Sequence, residues 1–197
     1  MTSPPAVAAP TFRDEERELL HRCRLGSEAA YAELIGRTSR PLFALAVRCV
    51  GSPVVAETVV RDTLVEAFRA IERREERLPL VPWIVGLCVR RARRRAGSGP
   101  LGGRVRAVTR AEPGRRGRDL DACLAALPFE QRAVLALRFG LGLGADEAAF
   151  ALGIDRYALI RRLAAALADL RAIDEAASVG VERAMGGRRG IVAKEKT

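Results

Sequence analysis

The sequence predicts an all-α protein: two small helical domains joined by a flexible basic linker, the C-terminal one a helix-turn-helix. Three observations carry this. Ala, Leu and Arg dominate the composition, and all three favour helix. No long run alternates apolar and polar residues, whereas apolar residues recur at three- and four-residue spacing through two blocks. Between the blocks, residues 97–118 hold Gly97, Gly99, Pro100, Gly102, Gly103, Pro113, Gly114 and Gly117 interleaved with six arginines. Such a mixture buries no core and reads as an extended tether. The expected division is a loose tail at 1–13, a helical domain at 14–96, the linker at 97–118, a second helical domain at 119–175 and a flexible tail at 176–197.

The elements follow in order. From Asp14 the pattern is helical, with Leu19, Leu20 and Cys23 on one face. Gly26-Ser27 interrupts it, and Ser27 suits the N-cap of a second helix through Ala29, Tyr31 and Leu34. A separate, longer helix is expected from about Ser39 to Val50, apolar at Leu42, Phe43, Leu45, Ala46 and Cys49. Gly51-Ser52-Pro53 ends it, and Pro53 suits the start of the next helix, which runs to about Arg73. Pro79 and Pro82 bracket a break before a helix from Trp83 to Arg95. In the second block, Leu120, Cys123, Leu124 and Leu127 mark a short amphipathic helix stopped by Pro128. Another helix spans Glu130 to Phe139, and Gly140, Gly142 and Gly144 make a turn.

The local signal is sharpest after that turn. Ala145–Leu152 is a short helix, Gly153 can adopt the left-handed conformation that ends it, and Ile154 can fill the angle between helices. Asp155 can cap the helix that follows, and Ala149 is small enough for the helices to cross closely. That is the framework of a helix-turn-helix, whose second helix offers its N-terminal residues to the major groove. A plain three-helix bundle with a glycine turn would show the same framework.

The formal net charge is +10. An excess of that size suggests a polyanionic partner, because Lys and Arg gain affinity by displacing counterions from phosphates. The alternative is an arginine-rich composition that serves solubility. Four cysteines (Cys23, Cys49, Cys88 and Cys123) are widely spaced, none forms a C-x-x-C pair, and the only histidine is His21. That spacing suits small core hydrophobes, with a redox switch the less favoured reading, and gives no metal site. No cofactor is expected. No nucleophile–base pair or phosphate-binding loop is evident, so an enzyme is not expected. Met1 to Pro10 lacks a basic start and a long apolar run, and no stretch is long and apolar enough to span a membrane. A cytoplasmic protein is expected.

Several motifs then resemble one family. Leu124-Ala-Ala-Leu-Pro-Phe-Glu-Gln-Arg-Ala-Val-Leu, followed by Leu-Arg-Phe-Gly, Asp146-Glu-Ala-Ala and a run ending at Ile154, is similar to the promoter-reading domain of bacterial sigma factors. The small extracytoplasmic-function (ECF) type fits best. Ala56 to Phe68 is similar to the family's polymerase-binding helix. Pro82-Trp83-Ile-Val, ahead of a helix ending in arginines, is similar to the helix that opens promoter DNA. The resemblance covers about residues 14–96 and 119–173.

The resemblance implies a non-enzymatic factor that binds core RNA polymerase and promoter DNA and is held in check by an anti-sigma protein. It implies polymerase contacts at Arg61, Asp62, Val65 and Glu66; Val59 and Phe68 can instead face the domain core, which is the favoured reading for Phe68. It implies DNA contacts at Arg90, Arg91, Arg93, Arg94 and Arg95, whose density suits phosphates. On the recognition helix it leaves Arg156, Tyr157, Arg161 and Arg162. Trp83 is open to stacking or to the core. The sequence departs from the family at Thr58, Val89 and Arg90. It departs again at Ala158, Ile160, Ala164 and Ala165, where hydroxyl or basic residues are usual. The run Leu163 to Leu170 is apolar enough to call for cover by another domain or a partner. Two further readings stay open: a degenerate sigma-like module that binds a protein and reads promoters weakly, and a stand-alone helix-turn-helix regulator.

Overall fold

The computed structural model describes residues 12–73, 79–96 and 120–192. The expected linker at 97–118, residues 1–11 of the expected N-terminal tail and residues 193–197 lie outside these. The described residues form helices and connecting turns with no strand. In order they are α1 (Phe12–Arg24), α2 (Glu28–Val50), α3 (Pro53–Ala70), α4 (Leu80–Ala96), α5 (Leu120–Ala126), α6 (Phe129–Leu135), α7 (Ala145–Leu152) and α8 (Arg156–Val192). A 3-10 turn, Ile71–Arg73, follows α3, and α6 widens into one π-helical turn, Ala136–Gly140.

Caps fix several starts. Ser27 accepts a hydrogen bond from the Ala30 N–H at 3.3 Å, and Pro53 occupies the first turn of α3 as its missing N–H permits. One expectation fails here. The break expected between Leu34 and Ser39 does not occur, and α2 runs unbroken through Pro41. Proline inside a helix costs about 3 kcal/mol. Leu34, Thr38, Leu42, Leu45 and Cys49 are all buried on one face of α2. Each buried leucine contributes about 1.5–3 kcal/mol, so packing outweighs the local penalty. The Thr38 hydroxyl also bonds the Leu34 carbonyl at 2.6 Å, and the Ser39 hydroxyl the Ile35 carbonyl at 2.7 Å. At the other end, α8 continues to Val192, past residue 175 where the sequence places a tail. No proline stands in that stretch to stop it.

The two blocks share one buried cluster. Leu34, Leu45, Val59 and Ile84 from the first lie in the same core as Phe129, Leu137, Ala148 and Leu159 from the second. A close approach joins α4 to α7. A Cβ placed on Gly86 would stand 2.8 Å from the Ala151 carbonyl oxygen, so only glycine allows these backbones to meet. A smaller cluster of Leu127, Leu135 and Ala166, with Leu124, Leu163, Leu167 and Leu170 against it, closes α5 and α6 over α8. The leucines of the apolar run of α8 are thus partly covered within the chain, while Ala164, Ala165 and Ala168 stay exposed.

Arg22 of α1 donates to Glu33 of α2 at 2.8 Å, and Arg37 adds a 2.6 Å ion pair. These guanidinium groups hold the Glu33 carboxyl below its ordinary range. Whatever stability this linkage adds is present above the ordinary carboxyl pKa and fades as pH falls through the lowered one.

Cys23, Cys49 and Cys88 are buried and Cys123 is partly exposed. Burial pushes the Cys49 and Cys88 thiols up to about 12, so neither forms a thiolate at neutral pH. A thiol reagent is expected to modify Cys123 in the folded protein and to reach Cys49 and Cys88 only in denaturant. Rapid native modification of Cys49 or Cys88 would contradict this burial. Among the described residues no group of His, Cys, Asp or Glu is placed to hold a metal ion, and no helix is long and apolar enough to cross a membrane.

Candidate nucleic-acid interface

The helix-turn-helix is built from α7, a three-residue turn and the start of α8. Gly153 has φ 65°, in the left-handed region that a side chain would strain. Its N–H bonds the Phe150 carbonyl at 3.0 Å, and the Ile154 N–H bonds the Ala149 carbonyl at 3.1 Å, closing α7. Ala149 is buried and Ile154 packs on the core. Asp155 caps α8, accepting from the Ala158 N–H at 2.7 Å. Ahead of α7, the Gly144 N–H donates to Glu147 at 2.7 Å, and Arg138 donates to the Leu143 carbonyl, tying down the glycine turn. Asp155→Ala is expected to cost about 1 kcal/mol in chemical denaturation. No change would mean that water caps α8 equally well.

The four residues expected to meet DNA on α8 divide into two pairs. Arg156 is bound to Asp146 of α7, 3.1 Å from each carboxylate oxygen. Arg162 reaches Glu130 of α6 at 3.2 Å. Tyr157 and Arg161 face solvent together, the guanidinium carbon 5.1 Å from the ring centre.

The arginines of α4 are also divided. The sequence leaves all five without local partners, but the fold supplies distant carboxylates. Arg91 donates to Glu66 of α3 at 2.6 Å and stands 3.7 Å from Asp62. Arg95 reaches Asp62 at 3.5 Å. Arg93 pairs with Glu130 and lies over the Phe129 ring. Arg90 and Arg94 are exposed and have no carboxylate partner among the described residues. Trp83 is partly buried against the core.

The residues expected to meet polymerase separate likewise. Arg61 and Val65 line an open groove of about 450 Å³ between α2 and α3, with Ile35, Phe43 and Phe68. Asp62 and Glu66 turn instead toward the arginines of α4. Val59 is buried in the core, and Phe68 packs edge-on against Tyr31, ring centres 5.0 Å apart.

One residue that organises this surface, Glu130, has no role legible in the sequence. Glu130 gathers Arg93 and Arg162, one cation from each block. No local pattern signals a pairing across so many residues. Ile160 is 50% exposed on α8. Its register with Tyr157 and Arg161, rather than with Leu159 and Leu163, is the signal that finds it.

Residues 117–170 match the family Sigma-70, region 4. No curated protein matches the chain. Several solved structures share its fold, among them two complexes. One is CnrH in complex with the cytosolic domain of CnrY: TM-score 0.65, 24% identity, covering 83% of this chain and 99% of that one. The other is the sigma factor RpoE in complex with the anti-sigma factor NepR from Bartonella quintana: TM-score 0.57, 18% identity, covering 74% and 96%. Residues 117–170, which hold the helix-turn-helix, are therefore similar to sigma-70 region 4, within a chain whose described residues share the all-α fold of those two structures.

Proposed function

We propose that the protein is an ECF-type sigma factor that binds core RNA polymerase and directs promoter-specific transcription initiation. One observation carries the reading: a capped, outward-facing recognition helix inside residues that match Sigma-70 region 4. Residues 14–96 would serve polymerase binding and promoter opening, and residues 119–175 would read the upstream promoter element. The protein would act by binding, without a reaction of its own, in the cytoplasm. Because both similar structures are complexes with another protein, one of them a named anti-sigma factor, an anti-sigma partner is part of the proposal.

The groove between α2 and α3 is the proposed polymerase surface. It combines exposed apolar side chains, Ile35 and Val65, with Arg61 and Glu57 at its edge, a composition that suits a protein interface. Titration of labelled core polymerase tests it. The wild-type chain is expected to form a holoenzyme. Val65→Glu should keep the fold and weaken binding about tenfold or more, as an interface hot spot does. No complex with the wild-type chain would sink the proposal. Full binding by Val65→Glu would move the interface elsewhere.

A second reading, the degenerate module, is favoured by one observation. Arg91, Arg93, Arg95, Arg156 and Arg162 already have carboxylate partners, so phosphates must compete for them. Holoenzyme formation without initiation would select that reading.

A further inference from the structure

We infer that the solvent-facing stripe of α8, made of Tyr157, Ile160 and Ala164 around Arg161, reads the 5-methyl groups of thymine in the major groove. The inference rests on the sigma-type reading above and specifies what the recognition helix selects.

The helical register places the stripe. At 3.6 residues per turn, positions 157, 160, 161 and 164 fall within an arc of about 100°. Leu159 and Ala166 lie on the opposite side and are buried. Tyr157 is 70% exposed and Ile160 50% exposed, and Arg161 and Ala164 are exposed beside them. Arg156 and Arg162 stand outside this arc, held by Asp146 and Glu130. In these first turns the outer face therefore offers, among the described residues, one arginine without a carboxylate partner and three largely apolar side chains.

Single exposed apolar side chains are ordinary. Here they share one face of the first turns of a recognition helix, the part that docks against base edges. In the major groove the distinctive apolar feature is the thymine methyl, and an aliphatic or aromatic side chain is its natural contact. Arg161, stacked on Tyr157, adds a charge-bearing contact to phosphate or guanine and favours a polyanion over a neutral protein surface. From Tyr157 to Ala164 the helix rises about 10 Å, so the methyl contacts should fall within about three successive base pairs.

The test uses the full chain with core polymerase and a random-sequence duplex library. Selected duplexes are then remade with deoxyuridine in place of each enriched thymine, which removes only the methyl. Each effective replacement should weaken binding about fourfold, the worth of one buried methyl group. Ile160→Ala should lose a similar factor on the thymine duplex and become indifferent to deoxyuridine at one position. Its melting should stay unchanged, because the side chain is half in solvent. Selective binding that ignores every deoxyuridine replacement would overturn the inference and leave the sigma reading standing. No selective binding at all would overturn both. An Ile160→Ala variant with full DNA affinity and lost binding of a protein partner would also overturn it.

Discussion

Arg132→Ala is expected to destabilise the protein by about 3–5 kcal/mol, a large share of the about 5–15 kcal/mol that holds an ordinary domain folded. Arg132 is 2% exposed, the largest fully buried side chain among the described residues. Its guanidinium donates to the Cys49 carbonyl at 3.2 Å and to the Leu127 carbonyl. Cys49 lies in the last turn of α2, and Leu127 directly follows α5. Carbonyls at helix C-termini lack intrahelical donors and carry the negative end of the dipole.

One cation thus closes two helix ends and ties the first block to the second. Burial works against the charge and lowers the Arg132 pKa. The two carbonyl contacts offset that cost, and removing the side chain strands both acceptors and leaves a cavity. Arg132→Met separates the two effects, since it keeps most of the volume. It should cost about 2 kcal/mol. Denaturant unfolding measures both. A loss under about 0.5 kcal/mol for either variant would mean that relaxation or water replaces the guanidinium.

Gly86→Leu is expected to separate α4 from α7 and cost about 3 kcal/mol. A new Cβ meets the Ala151 carbonyl oxygen at 2.8 Å and its Cα at 3.3 Å. Both are backbone atoms, so no side-chain rotation relieves the contact. Gly86→Ala sets this clash against a gain in helix propensity of about 1 kcal/mol. The clash wins, because the helices must move apart along their whole contact and unpack Ala148 and Ala151. Melting curves together with solution scattering distinguish the outcomes. The expected result is a lower melting temperature and a larger radius with helicity retained. An unchanged radius and melting temperature for Gly86→Leu would contradict the close packing of the two blocks.

The helix-turn-helix framework was legible because its signals are local. Gly153, Ile154 and Asp155 act on neighbours within a few residues, and each does in the structure what its chemistry suggests. The break expected before Ser39 does not occur, because the burial that carries α2 through Pro41 comes from contacts distant in sequence. The arginines of α4 were expected at phosphates, and their carboxylate partners stayed hidden because Asp62, Glu66 and Glu130 are distant in sequence. The apolar run in α8 was expected to meet another domain or a partner because the leucines that partly cover it, Leu124, Leu127 and Leu135, are distant in sequence. In the sequence Arg132 is one residue of the motif Leu124 to Leu135, with no local sign that it is buried. Only the fold reveals it under two helix ends.

Run-off transcription tests the central claim most directly. The purified chain is added to core RNA polymerase over a library of genomic promoter fragments. The sigma reading predicts discrete transcripts from a subset of templates, absent with core enzyme alone. Holoenzyme that forms but starts no discrete transcript, or a chain that never joins the core enzyme, would contradict it.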